Sequence, residues 1–154
     1  MTAGLLVLAT MATVPVQAEP GDKVYLVGRF DLDGTTYNQV VFFQDDAIAD
    51  LKACKREVIL GRQGKWQIYS HLTRAARGFT YSTSYTCALG NQRFNSWDRT
   101  GRLPLTHTYS VVATDQRLQV QSHKNYGACM AWLRQHGGES RHRFCAKAAQ
   151  RIVH

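Results

Sequence analysis

The sequence predicts an α+β domain: an antiparallel sheet with two helices on one face, stapled by disulfides. Three observations predict it. Short runs rich in β-branched and aromatic residues recur between turn signals, the pattern of hairpins. Two other segments place apolar residues at helical spacing around a cysteine. The four cysteines, Cys54, Cys87, Cys129 and Cys145, are even in number and contain no Cys-x-x-Cys pair. That favours two structural bridges over a zinc knuckle or a thioredoxin-type redox site.

At 154 residues and 44% hydrophobic content the chain has a single-domain length and enough apolar surface for a core, which excludes disorder. Met1 to Ala18 carry no charge, Ala3 to Ala12 are small and apolar apart from Thr10, and Val16-Gln17-Ala18 fits the small-x-small pattern of signal peptidase. Residues 1–18 are therefore expected to be a signal peptide, although they lack a basic n-region, and 19–154 a single domain of the periplasm or the outside of the cell. The apolar stretch falls short of the roughly 20 residues that cross a bilayer, so no membrane span is expected after cleavage.

Val24 to Phe30 and Tyr37 to Phe43 flank Asp31-Leu32-Asp33-Gly34 and read as a hairpin. Asp45-Asp46 supplies an N-cap, after which Ala47, Leu51, Cys54 and Val58 line one helical face. Trp66 to Leu72 and Phe79 to Ala88 read as strands, and 90–104 as a long irregular connection. Thr106 to Ala113 and Arg117 to Gln121 flank Asp115-Gln116, a second hairpin. Tyr126, Cys129, Met130 and Leu133 then form a second helical face that Gly137-Gly138 ends. Arg143 to Ala146 is either a short last strand or the start of a helix through Val153.

A weak internal repeat underlies this order. Ala53-Cys54 on a helix is followed by Tyr85-Thr86-Cys87-Ala88, and Ala128-Cys129 on a helix by Arg143-Phe144-Cys145-Ala146. Two ββαβ units follow, about 19–89 and 105–154, with a ferredoxin-like closure about a pseudo-twofold as one arrangement of them. Laying each helix on its sheet brings each helical cysteine over the strand cysteine of its own unit. The expected bridges are Cys54–Cys87 and Cys129–Cys145. Val24-Tyr25-Leu26-Val27-Gly28-Arg29-Phe30 resembles the first strand of the SPOR domains, ferredoxin-like modules that bind peptidoglycan. The resemblance covers those residues alone, and where that family proceeds to a helix this chain has another strand, so no site residue is carried over.

The net charge of +8 is unevenly placed: residues 19–58 hold eight acidic against five basic side chains, and 116–154 one acidic against seven basic. Such asymmetry favours a basic face. Two stretches are candidate binding elements. Arg93, Phe94, Trp97, Arg99 and Arg102 interleave cations with aromatic rings, as stacking and anion contacts require; the competing reading is a loop that Phe94 and Trp97 pin to the core. Arg141 and Arg143, with Lys147 and Arg151, form the other, against a simple solvated face. No G-x-S-x-G, H-E-x-x-H, P-loop or G-x-G-x-x-G motif occurs. Asp31/Asp33 and Asp45/Asp46 suit turn and cap duties, and no metal or cofactor is expected. The leading expectation is a non-enzymatic binding protein acting on a protein partner in the envelope or outside the cell, of inhibitor or immunity type. The alternatives are a module for an anionic polymer or cell-wall glycan, and a small enzyme whose site is assembled from dispersed residues.

Overall fold

The computed structural model describes residues 20–35 and 37–154; the expected signal segment 1–18 lies outside the described residues. Strands β1 (Lys23–Leu32) and β2 (Asn38–Phe43) form the expected antiparallel hairpin, with Leu26 opposite Phe43. Asp45 caps only a single 3-10 turn, Asp46–Ile48. Helix α1 (Leu51–Arg62) starts a few residues later than anticipated, because Asp50 is its cap and accepts the Ala53 N–H at 2.7 Å. Its inner face carries Cys54 and also Glu57, which is buried and accepts from Lys65 Nζ at 2.6 Å and Trp66 Nε1 at 3.1 Å.

The strand expected over Trp66 to Leu72 is not formed. Trp66 and Ile68 are buried beside exposed Gln67 and Tyr69, so the alternation is real. It records one-sided burial without strand pairing. The place beside β1 belongs to β3 (Tyr81–Gly90), and the chain instead makes a short helix, α2 (Tyr69–Ala75).

The 90–104 connection is partly ordered by β4 (Arg93–Phe94). Strands β5 (His107–Thr114) and β6 (Arg117–His123) make the second hairpin across a two-residue loop, Asp115-Gln116. Helix α3 (Tyr126–Gln135) is capped by Asn125 and ends where the Gly138 N–H meets the Leu133 carbonyl. The last segment forms β7 (Arg143–Ala148) and β8 (Ile152–Val153), and no C-terminal helix; β8 pairs with β4.

The six-stranded sheet has the order β3-β1-β2-β7-β5-β6. It is mixed rather than antiparallel, because β2 and β7 run parallel where the two halves join. Within the first half the strands lie in the order β3-β1-β2 with α1 between the second and third in sequence. The second half lies as β7-β5-β6 with α3 in the corresponding place. The parallel junction makes β1 and β5 point the same way, so a pseudo-twofold does not relate the halves. Both expected disulfides are present, Cys54–Cys87 and Cys129–Cys145, with Cα atoms 5.9 and 6.0 Å apart. Each ties a helix to the third strand of its own half.

Pairing registers fix the faces. Cys87 lies on the side of Leu26, Phe43 and Gln39, and Gln39 pairs with Lys147, two residues from Cys145. Both helices therefore cover the same face, as expected. The opposite face is not left to solvent. It holds the largest core, with Tyr25, Phe42, Phe94, Tyr109 and Phe144 among aliphatic residues of β1, β2, β3, β5, β6 and β7. The sheet coils until its outer strands meet: a Cβ on Gly90 of β3 would lie 2.9 Å from Leu118 Cβ of β6. Gln92 bridges the seam as a strand would, accepting the Val120 N–H at 2.8 Å and donating to its carbonyl at 2.7 Å. Gln150 does the same for Phe42 at 2.8 and 3.0 Å, beyond the end of β7.

Candidate functional site

The helix-covered face carries one further layer where the chain leaves β4. Trp97 folds down against Phe43 and Trp66, at ring-centroid distances of 4.8 and 6.0 Å, and Arg99 lies over its outer side at 5.1 Å. Asp98 then organises the turn. One carboxylate oxygen accepts the Thr100 N–H and hydroxyl at 2.9 and 2.6 Å; the other accepts the Arg102 and Leu103 N–H groups at 2.9 and 3.0 Å. The Thr100 hydroxyl, helped by these backbone donors, holds the Asp98 carboxyl below its ordinary range.

The same turn closes onto α2. At the start of α2 the Tyr69 and Ser70 N–H groups donate to the Arg99 and Thr100 carbonyls at 3.0 and 3.1 Å. Gly101 has φ +66°, and a Cβ there would stand 2.5 Å from Ile68 Cγ2 and against the Ser70 hydroxyl. Only glycine lets the turn approach so closely.

A hollow of about 360 Å³ results, walled by Tyr69, Ser70, Arg74, Arg77, Thr100 and Arg102. Arg74 donates to the Tyr81 hydroxyl at 3.0 Å. The ion pairs among the described residues lie elsewhere, Arg29 with Asp31 and Glu139, Lys55 with Asp115, and Lys65 with Glu57. Asp98, the carboxylate nearest in sequence, has both oxygens committed to its own turn. Three arginines thus line one concavity, and no carboxylate is among its lining residues. Tyr69 of its wall is half exposed, and so are Phe79, whose N–H donates to the Arg74 carbonyl, and Leu103, which follows Arg102 in the chain.

On the inner side of α2 His71 is buried between Phe30 and Tyr81 at centroid distances of 4.8 and 4.6 Å, with Nε2 2.8 Å from Gln39 Oε1. Burial, and secondarily the Arg74 charge, lowers its pKa to about 4. The ring is neutral at physiological pH and acts as part of the packing that seats α2.

No family model, curated protein or solved structure matches this chain. The chemistry of its surfaces must therefore be read from the residues alone.

The residues singled out from sequence are dispersed. Phe94 is a core residue, stacked on Phe42 at 4.0 Å. Arg93 donates to the Asn91 carbonyl at 2.8 Å and to the Gly21 carbonyl, tying β4 to the start of β1. Trp97 is half-buried; Arg99 and Arg102 belong to the surface just described. Arg143 is bound to the His136 carbonyl, and Arg141 lines a separate hollow with Lys55, Arg62 and His142 beside β3. Arg141 precedes β7, whereas the 90–104 segment meets the chain after β7, through Asn95 and Arg151. Arg141 and Arg143 therefore lie at the far end of β7 from the 90–104 segment, which Arg151 alone of that stretch is shown to meet. Arg74 and Arg77 were not legible as site residues, because the strand reading of Trp66 to Leu72 left Arg74-Ala75-Ala76-Arg77 as a bare connection. A cleft of about 670 Å³ holds the acidic residues Asp22, Asp45, Asp46 and Asp50. Two of these, Asp45 and Asp50, serve as helix caps, and Asp46 is exposed.

Guanidinium groups stay protonated at any physiological pH and offer planar, forked donors to carboxylates and phosphates. The arrangement is suited to holding an anion beside apolar contacts.

Proposed function

We propose that the chain is an exported, non-enzymatic binding protein that acts on a protein partner through the surface built by α2 and residues 97–104. The observation that carries this reading is the lining of one hollow by Arg74, Arg77 and Arg102 together with half-exposed Tyr69. Arginine and tyrosine dominate the energetics of protein interfaces, and here both line one concavity. The walls of the site are tied together by backbone hydrogen bonds, so little ordering would oppose binding.

Two disulfides, both buried, support an oxidising compartment, and with it the periplasm or the cell exterior. No helix among the described residues is long and apolar enough to cross a membrane. The matching strand order and helix-to-strand bridge of the two halves support their reading as an internal repeat of one ββαβ pattern. The separation of Arg141 from the 97–104 surface counts against an extended anionic polymer, which needs a continuous basic track.

The test is a pull-down from envelope and culture fractions with the tagged, oxidised protein, alongside a variant carrying Arg77→Gln and Arg102→Gln. A discrete protein held by the wild type and released by the variant is the expected result. Equal retention by both, or nothing but glycan or nucleic acid at low salt, would overturn the reading.

A further inference from the structure

We infer that the hollow between α2 and the 97–104 turn is a carboxylate-binding site, and that its occupant is an acidic segment of the protein partner. The inference rests on the partner reading above and specifies its chemistry. The first ground is the electrostatic state of the hollow. Like charges confined to one concavity raise one another's energy, and the relief comes from an anion. Elsewhere the fold neutralises such groups itself: Arg29 lies between Asp31 and Glu139, both at 2.7 Å. In the hollow it does not, and it also withdraws the local carboxylate, Asp98, into four hydrogen bonds of the turn.

The second ground is preorganisation. Gly101 sits against Ile68 and Ser70, and two main-chain hydrogen bonds join the turn to α2. Arg74 is further oriented by the Tyr81 hydroxyl. Trp97 and Arg99 stack outside the hollow and keep the turn down. Ser70 and Thr100 add hydroxyls to its wall. Walls held in place, with Arg74 already oriented, leave less to order when an anion binds than a free surface would.

The third ground separates a peptide from a free inorganic anion. The hollow, about 360 Å³, has room for more than one acidic side chain, and Tyr69 belongs to its wall. Tyr69 and Leu103 are half exposed. A segment that places carboxylates among the arginines can bury its own apolar side chains on these two; phosphate or sulfate cannot.

The experiment uses the full oxidised chain, isotope-labelled for NMR, titrated with N-acetyl hexaglutamate, with hexaglutamine as the neutral control and inorganic phosphate as a competitor. Hexaglutamate is expected to shift the amides of Tyr69, Ser70, Thr100 and Leu103, hexaglutamine not to. The Arg77→Gln/Arg102→Gln variant is expected to bind at least about tenfold more weakly while keeping the wild-type spectrum elsewhere, since each guanidinium removed takes a charge-assisted contact with it. Shifts centred on Lys147 and Arg151, or affinity unchanged in the variant, would overturn the assignment. So would phosphate that binds the hollow as tightly as hexaglutamate, which would make it a free-anion site. Peptide binding at the hollow together with an empty pull-down would instead count against the partner reading, so the two failures are distinguishable.

Discussion

Acidification should destabilise this protein through His71 before its carboxylates titrate. The ring is 8% exposed and packed between Phe30 and Tyr81, and burial lowers its pKa from 6.5 to about 4. The charged group that acts on it is Arg74, on its own helix, which opposes an imidazolium. A histidine with a depressed folded pKa is neutral when native and takes up its proton on unfolding. Its contribution is therefore intact above pH 6.5, is lost as pH falls from 6.5 towards 4, and is constant again below that. The drop of about 2.5 pKa units amounts to roughly 3 kcal/mol over the whole window, of which roughly 2 kcal/mol is gone by pH 5. His123, also lowered by burial, adds a loss of the same sign. Asp33 and Asp98, held low by the Ser82 and Thr100 hydroxyls respectively, keep their contribution until the pH falls below the ordinary carboxylate value of 3.8. Urea unfolding followed by tryptophan fluorescence at pH 7.5 and pH 5 measures the loss, and His71→Gln isolates it. The variant should lose stability at neutral pH but show a pH slope shallower by about 2 kcal/mol over that interval. Equal slopes in the two proteins, or an NMR titration placing His71 at or above 6.5, would refute the reasoning.

Three further outcomes follow from the packing. Replacing Cys54 and Cys87 by serine should cost about 4 kcal/mol and replacing Cys129 and Cys145 about 3, from loop closures of 33 and 16 residues; denaturant midpoints of the two double variants should fall in that order. Gln150→Ala should cost about 3 kcal/mol, because the buried Phe42 N–H and carbonyl both lose their partner; a loss under about 1 kcal/mol would show that water replaces it. Gly101→Ala should cost about 1–3 kcal/mol and speed hydrogen exchange at the Tyr69 and Ser70 amides, while exchange in β5 and β7 stays slow.

The bridges were legible because they depend on parity alone. Leu51, Cys54 and Val58 mark one side of a helix, and Cys87 stands on the face of β3 that this helix covers. The same local logic found both hairpins and both long helices. It failed where the decisive contact is distant. Trp66 and Ile68 alternate like a strand, but the pairing that would make them one is taken by β3. Phe94 looks like a loop aromatic until the sheet coils and supplies Phe42 and Tyr25 as its neighbours. That coiling depends on Gly90 meeting Leu118 and on Gln92 reaching Val120. No periodicity announces either contact. The arginine hollow was half legible: Arg99 and Arg102 stood out among aromatic residues, whereas Arg74 and Arg77 gained their meaning only when α2 and the 97–104 turn came together.

The central claim is that this surface, and no other, receives a protein. A photo-crosslinking residue placed at Leu103, beside the hollow, tests it against the same residue at Ile59, which is 56% exposed on α1. Illumination in the presence of envelope and culture fractions is predicted to give a discrete adduct from position 103 that Arg77→Gln/Arg102→Gln abolishes, and none from position 59. An adduct from position 59 alone, or one from 103 that persists in the arginine variant, would contradict the account.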